Sequence, residues 1–214
     1  ADSRKIKPLF ADLLRSVGSI EGIERVRFIS PHPKDLTLEI VTAMSETESV
    51  CEHLHLPLQS GSDSVLSAMH RGYTNERFLR KVQQARSGIE DLSVTTDLIV
   101  GFPGESEKDF EETLEVVAEA QFDAAYTYIF SPRPGTKAAE MESQFVDHAV
   151  AVRRYETLRK VVTRSSLLKH KDRVGRIEEV LVEGRSKKGN DLVKTRTRQN
   201  KILHLKLQDS LRVG

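Results

Sequence analysis

Thr95-Thr96-Asp97-Leu98-Ile99-Val100-Gly101-Phe102-Pro103-Gly104-Glu105 is the stretch that decides the fold. Its first half is β-branched and apolar apart from one acid, and its second half is a Gly-Phe-Pro-Gly turn, so it reads as a strand closed by a tight turn. Ser106-Glu107-Lys108-Asp109 follows as a helix N-cap with an acid at the third helical position. Strand, glycine turn and capped helix in succession form half of a βαβ unit, and in such sheets ligands bind beyond the carboxyl ends of the strands. Asp97 is the irregularity. A carboxylate in a strand buried on both faces is costly without a partner, so it either bonds neighbouring backbone or belongs to a site.

Upstream, Pro8, Leu9, Phe10, Leu13, Leu14 and Val17 recur at helical spacing over residues 8–20, ending at Gly18. Ile23 to Ile29 alternates as a short strand stopped by Ser30-Pro31-His32-Pro33. Leu36 to Met44 reads as a helix and Leu54 to Gln59 as a strand. Ser60-Gly61-Ser62 then leads into a helix with Val65, Leu66 and Met69, ended by Arg71-Gly72-Tyr73. Thr74 caps the next helix, which buries Phe78, Leu79, Val82 and Ala85. After the opening strand and its helix (Phe110, Leu114, Val117), Phe122 to Ile129 forms a further strand, closed by Phe130-Ser131-Pro132-Arg133-Pro134-Gly135-Thr136. Strands and helices thus alternate four times between residues 23 and 136, which predicts an α/β fold with a parallel sheet. Four strands are too few to close a barrel, so residues 1–142 are expected to form a partial one.

Residues 143–171 read as a long basic helical linker carrying Val150, Tyr155, Leu158, Val161, Val162 and Leu167. From 172 to 214 the pattern changes to short β runs: Ile177 to Val182, Leu192-Val193 and Lys201 to Leu205. Lys187-Lys188-Gly189-Asn190 forms a hairpin turn between the first two. This reads as a small all-β module, incomplete because a short barrel needs about five strands.

The 214 residues, 38% apolar and 30% charged with a net charge of +1, suit an ordinary globular protein. Attraction to nucleic acid must therefore come from a local patch. No run approaches the roughly 18 apolar residues of a membrane span. Ala1 to Lys7 is polar and helix-like rather than a secretory signal, and the single cysteine, Cys51, excludes a disulfide framework and fits a reducing cytoplasm.

Gln59, Asp97 and the Phe130–Ser131 segment all fall at strand ends, with Arg71 at the end of the intervening helix. An amide, a guanidinium and a carboxylate around an apolar turn suit a zwitterionic, adenine-bearing ligand. The arginine would hold a carboxylate, and Asp97 a ribose hydroxyl or an amino group. The same residues also serve as ordinary loop anchors in many folds. Cys51, His53 and His55 alternate with zinc-like spacing, but no fourth ligand is near, so the histidines read as packing or mouth residues. The Gly101–Glu105 turn is a poor phosphate nest because Pro103 lacks a donor. Residues 171–206 carry eleven Lys/Arg against five Asp/Glu. Arg196, Arg198 and Lys201 on one hairpin edge, with Lys187 and Lys188 on the other turn, point to RNA contact.

Five motifs occur in the order found in the radical S-adenosylmethionine methylthiotransferases. They are Arg27 to Pro33, His55 to Ser62, Met69 to Thr74, Thr95 to Glu105 and Ser131 to Thr136. Over nearly all of residues 1–206 the chain resembles the MiaB type of that family, with a TRAM-like RNA-binding module from about residue 172. The resemblance implies a TIM-like radical SAM barrel and methylthiolation of isopentenyl-adenosine beside a tRNA anticodon. Siblings of the family act on threonylcarbamoyl-adenosine or a ribosomal-protein aspartate; a noncatalytic RNA-binding module is the reading from another class. The family's cofactors are S-adenosylmethionine and two [4Fe–4S] clusters held by cysteine thiolates, one on a Cys-x-x-x-Cys-x-x-Cys loop and one on an N-terminal domain. This chain has only Cys51, so no metal ligand is assigned to it. It is expected to be the later part of a larger cytoplasmic enzyme, inactive alone, whose partners are tRNA and the N-terminal portion. By resemblance, Gln59, Arg71, Asp97 and Ile99 contact S-adenosylmethionine, with the backbone at Phe130–Ser131 against its adenine. Asp97 stands where the superfamily's glycine-rich motif begins with glycine, its acid falls one place late at Glu105, and Thr195 replaces the usual glycine before Arg196-Thr197-Arg198.

Overall fold

The computed structural model describes residues 9–29, 31–208, 211 and 213. The polar Ala1–Lys7 start, Pro8 of the first expected helix and Ser30 lie outside them. Three parallel strands, β1 (His53–His55), β2 (Ser93–Val100) and β3 (Ala124–Ile129), form one sheet in that order. Thr95 pairs with His55 on one side and Ala124 on the other, and this register propagates to Asp97 opposite Tyr126 and Ile99 opposite Tyr128. With side chains alternating between faces, Val94, Thr96, Leu98 and Val100 point into the core at 0% exposure. Ser93, Thr95, Asp97 and Ile99 take the other face. Ser93 and Thr95 are buried there as well, so only the carboxyl half of the strand, at Asp97 and Ile99, is partly exposed on that face.

Helices α1 (Phe10–Gly18), α2 (Leu38–Glu46), α3 (Asp63–Ala68), α4 (Asn75–Gly88), α5 (Glu107–Ala120) and α6 (His148–Lys171) accompany the sheet. Phe78, Val82 and Ala85 of α4, Phe110 and Val117 of α5 and Leu158 of α6 bury with Leu54, Leu56, Leu98 and Phe122 in one core. Thr74 caps α4 by accepting from Arg77 N–H, and Ser106 with Asp109 closes a full capping box on α5. Burial works against the charge on Asp109, yet hydrogen bonds from Ser106, Ser62 and Ser64 hold its carboxyl below the usual range.

Two expected strands are shorter than their alternation suggests. Ile23–Ile29 contributes a single parallel bridge, Val26 to Val50, and its Arg25 and Arg27 side chains reach the second sheet. Leu54–Gln59 keeps its ladder only through His55. Pro57 has no N–H to continue it, and Thr96 Oγ1 fills the gap by accepting from Leu58 N–H and donating to Leu56 O. Gln59 then rejoins as a bridge to Leu98, with φ at 71°.

The second sheet is antiparallel, β4 (Val180–Arg185), β5 (Leu192–Thr197) and β6 (Ile202–Lys206) in sequence order. It is bulged between Val182 and Gly184. It docks on the first through cations: Arg25 donates to Arg196 O (2.8 Å) and Arg27 to Thr197 O (2.6 Å) and Arg198 O (2.9 Å). Among the described residues no helix is long and apolar enough to cross a membrane.

Candidate functional site

Beyond the carboxyl ends of β2 and β3, a cavity of about 700 Å³ is lined by Met69, Arg71, Ile99, Phe102 and Phe130 among others. The chain leaves α3 through His70 (φ 55°) and Gly72 (φ 68°), which brings Arg71 back over the sheet. Phe130 continues β3 by donating from its N–H to Val100 O, and its ring meets Phe102 edge-on at 5.3 Å. The result is an apolar cradle whose polar rim carries Arg71, Lys137 and His70 alongside Glu140, a fit for a ligand with an aromatic plane and both a carboxylate and a cationic group. Ser131 follows at the exposed rim. Gln59 is buried beside β2, its backbone bonded to Asp97 O and Ile99 N–H, and it does not line this cavity.

Asp97 lines an adjoining cavity of about 540 Å³ with His53, His55, Thr95, Tyr126 and Tyr128. Ile99 and its register partner Tyr128 stand one in each cavity, so the two meet across β2 and β3. Arg71, Ile99 and Phe130 are thus together, Asp97 is next door on the same sheet face, and Gln59 supports the strand between them. Asp97's partner is a side chain rather than backbone: His55 Nε2 lies 3.2 Å from Asp97 Oδ2, and His55 Nδ1 lies 2.9 Å from Thr95 Oγ1. The same hydroxyl lies 3.1 Å from His53 Nε2. Burial, reinforced by Arg27, pushes His53 down to about 4, so its ring is neutral. The Tyr73 hydroxyl donates to Pro57 O and Leu58 O, tying down the interrupted strand, and burial pushes it up to about 12.

The Gly101–Glu105 turn is filled from within. Gly101 N–H donates to Glu105 Oε2 (2.7 Å), the donor an incoming anion would need. Arg154 Nη1 of α6 meets the same oxygen at 2.8 Å, with the two side chains 5% and 0% exposed. Burial pushes the Glu105 carboxyl up, opposed by the Gly101 N–H and Arg154. Glu105 therefore anchors the turn to α6.

The basic hairpin edge is largely committed to internal pairs. Arg196 binds Glu183 and Asn200, Arg198 binds Glu52 (2.7 Å) and Val50 O (2.9 Å), and Lys201 binds Asp123 at 2.8 Å. Lys187 and Lys188 are exposed. Cys51 is buried, which raises its thiol pKa, and among the described residues no group of three or more His, Cys, Asp or Glu side chains is placed to hold a metal ion.

A family model described as the radical SAM superfamily matches residues 4–117. The chain belongs to the radical SAM superfamily. This radical SAM chain is 50% identical over 200 residues to the tRNA-2-methylthio-N(6)-dimethylallyladenosine synthase of Caldicellulosiruptor saccharolyticus, covering 94% of this chain and 42% of that protein. It is 46% identical to such a synthase from Mycobacterium marinum, covering 92% of this chain and 38% of that one. The chain therefore spans about two-fifths of the length of the curated relatives it matches. Among solved structures, coproporphyrinogen III oxidase (HemN) from Escherichia coli, a radical SAM enzyme, aligns with a TM-score of 0.56 at 15% identity. That alignment covers 84% of this chain and 51% of HemN, and it supports the fold alone.

Superfamily membership implies S-adenosylmethionine and an iron–sulfur cluster. The apolar cradle with Arg71 fits the first; the donor set of the described residues does not fit the second. The His55–Asp97 contact and the Glu105–Arg154 anchor escaped sequence reasoning. His53 and His55 alternate on β1 as Thr95 and Asp97 do on β2, which is the signal for the first; nothing local links Glu105 to a residue 49 positions away.

Proposed function

We propose that this chain supplies the cosubstrate wall and part of the RNA grip of a tRNA methylthiotransferase acting on isopentenyl-adenosine beside the anticodon. The observation that carries the reading is the 50% identity over nearly the whole chain to a synthase of that name. The adjoining cavities on the sheet face agree with it. Arg71 would hold the carboxylate of S-adenosylmethionine, Ile99 and Phe130 the adenine with Ser131 at its edge, and Asp97 a ribose hydroxyl or the amino group. Gln59 would keep β2 in place from below. A cluster bound elsewhere in the complete enzyme would supply the reductive cleavage. Residues 1–142 serve as the barrel portion, 143–171 as the linker and 172–214 as a TRAM-like module. Lys187 and Lys188 are its free cations toward tRNA, while Arg196, Arg198 and Lys201 chiefly shape and dock it. The test is Arg71→Ala in the complete enzyme. Loss of a charged hydrogen bond, about 1.5–3 kcal/mol, should weaken S-adenosylmethionine binding ten- to a hundredfold by calorimetry. Unchanged affinity removes Arg71 from the site.

A further inference from the structure

We infer that His55 is the positioning residue for Asp97, holding its carboxylate in one orientation on the cosubstrate face through a hydrogen-bonded chain that runs back to His53. The inference rests on the function proposed above for the sheet face. One imidazole spans two residues of β2: Nδ1 reaches Thr95 Oγ1 at 2.9 Å and Nε2 reaches Asp97 Oδ2 at 3.2 Å. A half-turn of the ring would lose both contacts, and the Tyr126 ring meets it edge-on at 6.0 Å. His55 is 8% exposed, whereas the Asp97 side chain is 25% exposed. The pair thus has a buried end and an end facing the cavity. Among the described residues no other side chain or backbone donor bonds the Asp97 carboxylate, which leaves its second oxygen for a ligand.

Proton bookkeeping orients the chain. A carboxylate only accepts, so a neutral His55 carries its hydrogen on Nε2 and presents Nδ1 as an acceptor. Thr95 must then donate to His55 Nδ1. Its oxygen is left to accept from His53 Nε2–H at 3.1 Å, and His53 is held neutral by burial. From His53 through Thr95 and His55 to Asp97, each donor thus meets an acceptor. The Asn200 amide nitrogen, aligned by Arg196 Nη1 donating to Asn200 Oδ1 at 2.7 Å, lies 3.4 Å from His53 Nε2; with that ring nitrogen carrying its hydrogen toward Thr95 the two donors only abut, and the chain ends at His53. The accept-only carboxylate of Asp97 thereby draws the His55 hydrogen to Nε2, the Thr95 hydroxyl follows by donating to Nδ1, and the ring held at both ends aims the carboxylate.

Two measurements decide it. In the protein as it stands, nitrogen-15 correlation spectra should show His55 with a hydrogen on Nε2, bonded to Asp97, and Asp97→Ala should abolish that preference. A His55 whose only ring hydrogen is on Nδ1 overturns the inference. In the complete enzyme, His55→Ala should weaken S-adenosylmethionine binding about tenfold. His55→Gln, which keeps a donor near the Nε2 position, should recover most of it, and His55→Ala should add nothing once Asp97 is Asn. If Asp97→Asn weakens binding but His55→Ala does not, the positioning role fails while the site stands. If neither Asp97→Asn nor Arg71→Ala has an effect, the site itself is wrong and the inference falls with it.

Discussion

Replacing Arg154 by Met tests the anchor between the Gly101–Glu105 turn and α6. The Glu105 side chain is fully buried, and among the described residues its Oε2 receives only Gly101 N–H and Arg154 Nη1 while its Oε1 has no partner. Methionine fills similar volume and removes the charge, leaving one amide against a buried carboxylate. Breaking a buried pair by deleting one partner costs about 3–5 kcal/mol. The Arg154 contact to Glu107 is half-exposed and adds little. The stability of an ordinary domain, roughly 5–15 kcal/mol, would absorb the loss, so the variant should be measurable by urea denaturation. The sign with pH follows from the raised Glu105 carboxyl, for which burial is the main cause. A folded state that binds this proton more tightly than the unfolded chain gains stability as pH falls and loses it as pH rises through the folded pKa. Removing Arg154, which opposes that rise, strengthens the trend. The deficit should therefore be largest at pH 7 and shrink toward pH 5. Glu105→Gln in the Arg154→Met background should restore much of the loss. A deficit under about 1 kcal/mol, equal at both pH values, or a double variant no better than the single one, would refute the reasoning.

His53 provides an acid-side test. The folded ring resists protonation until about pH 4, chiefly through burial, whereas the unfolded ring accepts a proton near 6.5. Its contribution should fall by up to about 3 kcal/mol between those values and level off below. His53→Leu should show a shallower acid slope in urea titrations, and an identical slope would show that the ring is not held neutral. The basic residues of the second sheet should separate into two classes. Arg198→Ala breaks the Glu52 and Val50 contacts and should speed hydrogen exchange across β5 and β6. Lys187→Ala with Lys188→Ala should leave exchange unchanged, lower affinity for an anticodon stem-loop RNA and flatten its salt dependence by about one to two contacts. If Arg198→Ala alone flattens the salt dependence without changing exchange, the assignment is reversed.

The parts of the fold legible from sequence are those set by local chemistry. The Ser93–Val100 span, the Thr74 cap and the Ser106–Asp109 capping box follow from residues a few positions apart. Ile23–Ile29 and Leu54–Gln59 alternate well but lack a continuous partner or a donor at Pro57, so pattern overstated pairing. At the site, topology grouped Gln59, Asp97, Arg71 and the Phe130–Ser131 segment, and Ile99 entered by resemblance; one cavity holds Arg71, Ile99 and Phe130, a second holds Asp97, and Gln59 lines neither. The partner of Asp97 did not follow from topology, since a histidine reaching two residues along a neighbouring strand depends on register. Charge on the hairpin was countable, but its use was hidden because Glu52 lies 146 residues from Arg198 and Asp123 lies 78 from Lys201.

Gly101 sits at φ 72°, and a Cβ there would lie 2.9 Å from that of Ala151. The turn at the ligand end of the sheet is thereby in hard contact with the start of α6, whose 24 residues span about 36 Å. At its far end Arg173 clamps Asp91 and Glu178, just before the second sheet begins. Between these two ends the helix is seated in the core through Leu158 and Val162, so a single stiff rod fixes the distance from the mouth to the joint with the β module.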